Sequence, residues 1–143
     1  VTRVDFYLLS DEDRAALARF ACRVALKGMH QGQLVHIHAQ DEAEAMALDE
    51  LLWDYPEQRF LPHQLLRDGD RATAPVTVGY TAPNDRHGLL INTIDAVPPF
   101  FARFDRVAEI VVGQTRESGR GRYKHYRDRG YPLHHHELDE WEA

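Results

Sequence analysis

The feature that most constrains this chain is an alternation of short apolar runs with amphipathic, acid-started segments between Arg3 and Asp54. Residues 3–9 (Arg-Val-Asp-Phe-Tyr-Leu-Leu) read as a buried strand. Ser10 with Asp13 three residues on has the pattern of a capping box. The helix it opens places Leu17, Phe20, Ala21 and Val24 on one stripe, with Gly28 or Gly32 to end it. Residues 34–39 form a second strand, and Asp41 with Glu44 opens a second helix that turns Ala45, Leu48, Leu51 and Leu52 inward. Strand, helix, strand, helix in this order predicts a parallel sheet with right-handed crossovers.

Beyond Asp54 the pattern loosens. Pro56, Pro62, Gly69 and Pro75 punctuate a loop around Phe60-Leu61-Pro62-His63. Strands resume at 76–80 and 89–94, Pro98 and Pro99 open a short helix, and 106–112 is a further strand. A helix from about Arg116 to Arg129 precedes a polar tail, 131–143. The expectation is one α/β domain over residues 1–130, a mostly parallel sheet flanked by helices, and then that tail. A chain of 143 residues suits one domain, and 43% hydrophobic residues suffice for a core. No apolar run approaches the roughly 18 residues of a membrane span. The opening goes straight into strand-like alternation, leaving no room for a signal peptide, and Cys22, alone, excludes an internal disulfide. These features predict a cytoplasmic protein with no membrane partner.

A parallel sheet invites a nucleotide, so the strand-to-helix turns are the places to test. Phosphate sites there need glycines and a helix N-terminus free to face an anion. Leu9-Ser10-Asp11-Glu12-Asp13 and Gln40-Asp41-Glu42-Ala43-Glu44 put carboxylates at that position instead, which suits the helix dipole and repels a nucleotide. His36 and His38 share one strand face, and His134-His135-His136 with Glu137 could gather a divalent ion, but a loose tail lacks the surrounding groups that fix metal ligands. Cys22 lies mid-helix as a small core residue, and neither Ser10 nor Ser118 sits in a nucleophile elbow. No catalytic residue, cofactor or metal site is predicted.

Two surfaces remain. Residues 116–129 hold Arg116, Arg120, Arg122, Lys124, Arg127 and Arg129 against Glu117 and Asp128, a local +4 in a chain of net −6, leaving −10 elsewhere. Arg116, Arg120, Tyr123 and Arg127 fall at i, i+4, i+7 and i+11, so one helix face presents three guanidinium groups around a phenol. Such a face suits a short acidic peptide ending in a carboxylate. A solvated basic helix end competes, chiefly for Arg127 and Arg129, and long DNA is opposed by the remaining negative charge, so a peptide partner is the better reading. The second surface is Trp53 with Tyr55, Phe60, Pro62 and His63, either a partner contact or a lid on the core. Residues alone leave both readings open.

Four stretches, taken in order, resemble the chi subunit family of DNA polymerase III. They are Val4-Asp5-Phe6-Tyr7-Leu8-Leu9; Leu48-Asp49-Glu50-Leu51-Leu52-Trp53 with Phe60-Leu61-Pro62-His63; Val97-Pro98-Pro99-Phe100-Phe101-Ala102-Arg103-Phe104 into Val107-Ala108-Glu109-Ile110-Val111; and residues 120–131, from Arg120 to Tyr131. The resemblance spans essentially the whole chain. It implies a Rossmann-like fold without a nucleotide-binding glycine loop, and a non-catalytic clamp-loader accessory that meets DNA only indirectly. It implies that the last helix receives the acidic, phenylalanine-ended tail of single-stranded-DNA-binding protein. Arg120 and Tyr123 would be central to that site, with Arg116, Lys124 and Arg127 flanking. It also implies a contact with the psi subunit of the clamp loader through Trp53 and Phe60, beside Pro62 and His63. Gly121 departs from the family, where a longer residue is common. The rivals are a nucleotide- or metal-dependent enzyme on the same scaffold, and a direct nucleic-acid binder using the basic helix.

Overall fold

The computed structural model describes residues 1–57, 60–84 and 87–142. In chain order the elements are β1 (Arg3–Leu9), α1 (Arg14–His30), β2 (Val35–His38), α2 (Glu42–Asp54), β3 (His63–Leu66), β4 (Val76–Gly79), β5 (Leu89–Asn92), β6 (Arg106–Val111), α3 (Arg116–Asp128) and β7 (Leu133–Leu138). Single 3-10 turns occupy Phe101–Arg103 and Gly113–Thr115. The strands make one sheet in the order β3-β4-β2-β5-β6-β1-β7, with every neighbouring pair parallel.

A parallel sheet must be covered on both faces, and the strand alternation supplies two apolar sets. Leu9, Val35, Ile37, Val78, Leu89, Ile91 and Ile110 face α1 and α2, meeting Leu17, Phe20, Ala21, Leu48 and Leu52. Val4, Phe6, Leu90, Val107 and Val111 face the opposite way, onto Phe101, Phe104 and Tyr126 from the 3-10 turn and α3. The expected stripes of α1 and α2 are the ones that face inward, with Val24 and Leu51 only partly covered. Gly32, at φ +80°, ends α1 in the left-handed conformation, while Gly28 sits inside the helix.

Four local expectations need correction. Ser10 does not cap α1: its hydroxyl donates to Asp139 Oδ1 at 2.9 Å, and the helix starts after Asp13. The loop around Phe60–His63 contains β3, a four-residue strand that the prolines at 62 and 75 flank rather than abolish. The proline-started helix is only a 3-10 turn. Residues 131–143 are not simply a tail, because Leu133–Leu138 pairs with β1 from Val4↔Leu133 to Leu9↔Leu138. An edge strand needs little apolar content, since one side of it is wet, and Leu-His-His-His-Glu-Leu therefore carries no clear strand pattern.

Candidate functional site

The helix α3 is held to the sheet by a buried ion pair. Glu109 on β6 is wholly covered, and Arg122 Nε donates to its Oε1 at 2.7 Å. Tyr126 Oη donates to Oε2 at 2.7 Å, and Asn92 Nδ2 approaches both oxygens at 3.0 and 3.2 Å. Burial pushes the Glu109 carboxyl up, against the opposing pull of Arg122, Tyr126 and Asn92. The same burial, with Glu109 beside it, pushes the Tyr126 phenol up. Arg122 thus leaves the exposed basic set in which its sequence neighbours place it. Gly119 completes the seat: a Cβ there would lie 2.9 Å from Val111 Cγ2, so only glycine lets α3 come this close to β6.

With α3 fixed in this rotation, Arg116, Arg120, Tyr123, Lys124 and Arg127 line one groove of about 850 Å³ between the helix and the β1–β7 edge. Its apolar floor includes Phe6, Leu8, Val111 and Leu138, and its far wall is His135, Glu137 and Asp139. Tyr123 is set edge-on to Phe6 at 5.4 Å and packs on His135 at 5.0 Å. Among the described residues, Arg116, Arg120 and Lys124 have no carboxylate within 4.0 Å, and Arg127 reaches only its neighbour Asp128 at 3.3 Å. The cations are therefore available to a ligand.

The wall opposite α3 was invisible to sequence reasoning because β7 was. His136 holds that strand to β1, its Nε2 2.9 Å from Asp5 Oδ1 and its ring stacked on Tyr7 at 4.8 Å. Burial raises the Asp5 carboxyl, but His136, Arg106 and Arg3 more than offset it and hold the group below the ordinary range. After β7 the chain crosses to α1. Trp141 Nε1 donates to Asp11 Oδ1 at 2.8 Å, its ring meets Phe20 at 5.1 Å, and Arg19 grips Glu142 through two bonds of 2.8 and 3.0 Å.

The aromatic surface lies at the other edge. Trp53 is 63% exposed and Phe60 73%. His63 lies packed behind Trp53: its side chain is 1% exposed, its ring lies edge-on to Trp53 at 4.6 Å, and its nitrogens meet Leu61 O at 2.7 Å and Asp49 O at 3.1 Å. Pro62 is partly covered beside it. Tyr55 turns away to the C-terminal segment, donating to Glu142 Oε2 at 2.6 Å and accepting from Arg23 Nε at 2.9 Å.

The remaining candidates of the sequence fall into structural settings. The N-terminus of α2 is taken by its own acids, Asp41 accepting from the Glu44 N–H at 2.9 Å and Glu44 reaching back to the Gln40 N–H at 3.3 Å. His36 and His38 do share a face of β2, both buried, with His36 Nδ1 2.8 Å from Thr77 Oγ1. Burial lowers His38 to about 4 and pushes the Cys22 thiol up to about 12, the latter leaving it unreactive. No group of three metal-ligating side chains occurs among the described residues, nor any helix long and apolar enough to cross a membrane.

The fold and these surfaces define a parallel α/β protein whose accessible chemistry lies in a cation-walled groove and an exposed aromatic pair, rather than at a phosphate loop. A family model described as "DNA polymerase III chi subunit, HolC" matches residues 1–134, and the chain belongs to that family. It is 41% identical over 141 residues to the DNA polymerase III subunit chi of Pseudomonas aeruginosa, covering 96% of this chain and 98% of that protein. It is 32% identical over 136 residues to subunit chi of Escherichia coli, covering 90% and 92%. To subunit chi of Haemophilus influenzae it is 28% identical over 132 residues, again covering 90% and 92%. Membership places it among the accessory subunits of DNA replication.

Proposed function

We propose that this chain is a non-catalytic bridging subunit of the replication machine, working in the cytoplasm. The α3 groove receives the acidic C-terminal tail of single-stranded-DNA-binding protein, and the Trp53–Phe60 surface joins the clamp loader through its psi subunit. DNA is met only through the first of these partners. The observation that carries the reading is that Arg116, Arg120, Tyr123, Lys124 and Arg127 converge on one groove with an apolar floor.

The chemistry of such a tail matches that groove. A phenylalanine ring seats on Phe6, Leu8, Val111 and Leu138 beside Tyr123, while the terminal carboxylate and the preceding acids meet the guanidinium groups. Glu137 and Asp139 on the far wall repel the acids and orient them toward α3. Affinity is modest and falls with salt, since a short tail gives up conformational entropy as it orders.

The test is calorimetric titration with the acidic C-terminal peptide of single-stranded-DNA-binding protein, on the unaltered chain and on Arg120→Ala. Saturable binding that Arg120→Ala abolishes is the expected result. Absence of binding by folded, unaltered protein at low salt overturns the reading.

A further inference from the structure

The Trp53–Phe60 surface carries information about its partner that the α3 groove does not. Both rings lie largely in solvent, at the same end of the sheet. Phe60 stands three residues before His63, whose ring touches Trp53, and three residues span at most about 11 Å. An exposed aromatic pair of this size marks a docking surface rather than core.

The ground around this patch is negative. Residues 41–66 carry seven carboxylates (Asp41, Glu42, Glu44, Asp49, Glu50, Asp54 and Glu57) and one Lys or Arg, Arg59. Asp49 is committed to His63 at 3.4 Å and Glu42 to Arg67 at 3.3 Å. Glu50, Asp54 and Glu57 are exposed, and among the described residues none has a cation within 4.0 Å. Glu50 and Asp54 lie three residues before and one after Trp53 on α2, so the ring rises from an acidic rim.

We infer that the Trp53–Phe60 surface takes a partner segment in which an apolar anchor is flanked by lysine or arginine. The anchor covers the two rings, and the flanking cation lies between the Trp53 face and the carboxylates of Glu50, Asp54 and Glu57, where a cation–π contact and an ion pair reinforce each other. The two docking surfaces of the chain then have opposite charge. An acidic tail fitted to α3 is repelled at the aromatic patch, and a basic segment fitted to the patch is repelled by the arginines of α3. Each partner is directed to its own edge of the sheet.

This inference rests on the reading that the clamp-loader subunit psi docks at Trp53 and Phe60, and the experiment separates the two. Association of purified psi is followed by stopped flow or surface resonance, from about 50 mM to about 500 mM salt. The chains compared are the unaltered protein, Trp53→Ala, and the triple variant Glu50→Gln/Asp54→Asn/Glu57→Gln. The expected result is that neutralising the rim slows association about tenfold at low salt, that the difference closes at high salt, and that Trp53→Ala abolishes binding at both. Titration with the acidic tail peptide, unchanged in the triple variant, shows that the variant is folded. Psi binding that depends on Trp53 but not on salt or the rim carboxylates overturns the inference and leaves the docking reading standing. Failure of the unaltered chain to bind psi, or binding indifferent to Trp53, overturns both.

Discussion

Replacing Arg122 by methionine tests the seat of α3 directly. The substitution keeps an unbranched apolar stem but leaves Glu109, with no access to solvent, without the guanidinium that faces it at 2.7 Å. Asn92 and Tyr126 still donate to the carboxylate, so it is not abandoned altogether. Breaking one side of a buried pair costs about 3–5 kcal/mol, mostly from the charge left behind. In a chain of this length each kcal/mol lowers the melting temperature by roughly 3 °C, so a fall of about 10–15 °C is expected. Replacing both partners, Glu109→Leu with Arg122→Met, removes the uncompensated charge. The double variant should then be more stable than either single one, although Asn92 and Tyr126 lose an acceptor. Urea denaturation with an unchanged slope reads the four corners of this cycle. A single Arg122→Met costing under about 1 kcal/mol, or a double variant whose loss equals the sum of the singles, refutes the assignment of α3 placement to this pair.

Three further outcomes follow from local geometry. Gly121 lies on the exposed face of α3 with nothing within 4 Å of where a Cβ would stand, so Gly121→Ala should stabilise by about 0.5–1 kcal/mol in the same denaturation assay without weakening peptide binding. His38 is buried and its protonation is displaced from 6.5 to about 4. The unfolded chain therefore takes up this proton first as pH falls, and stability declines between about pH 6.5 and 4 by roughly 3 kcal/mol, a slope that His38→Gln should remove. Trp141→Ala gives up the contact with Phe20 and the bond to Asp11, and should cost about 1–2 kcal/mol, less than a core tryptophan because the ring is only partly covered.

What could be seen in the sequence divides along one physical line. Wherever an element is buried on a wide face, its apolar period shows it: β1, β2, β4, β5, β6 and the two helices α1 and α2 are all legible from positions such as Val35, Ile37, Leu48 and Leu52. The elements missed are the edges, β3 and β7, where exposure relaxes the pattern and prolines or histidines are tolerated. The same distinction governs the candidate site. The α3 face was legible because arginine spacing on one helix depends on local geometry alone. Its opposite wall, His135, Glu137 and Asp139, depends on a pairing with β1 more than 120 residues away in sequence. The burial of Arg122 depends on a distant partner in the same way. Its partner Glu109 stands alone among Val107, Ala108, Ile110 and Val111, and a lone carboxylate in so apolar a strand was the available signal that some cation must come in to meet it.

The strand order sets the two candidate surfaces at opposite ends of the sheet. The α2–β3 region with Trp53 and Phe60 stands at one end of the sheet, and the groove bounded by β7 at the other, with β4, β2, β5, β6 and β1 between. Six strand-to-strand steps of about 4.8 Å separate the edges by roughly 29 Å. At that distance, several Debye lengths at physiological salt, the positive groove and the negative patch do not neutralise one another. Partners bound at the two edges also have room to avoid each other. The C-terminal segment nevertheless touches both sides: β7 walls the groove, and Glu142 beyond it holds Tyr55, two residues from Trp53. Shortening the chain after Asp139, which keeps the groove wall and removes Glu142, should therefore leave the distance between the edges intact while loosening the Tyr55 turn. Weaker binding at the aromatic patch with unchanged peptide binding in the groove would show that the segment supports the distant surface rather than the near one.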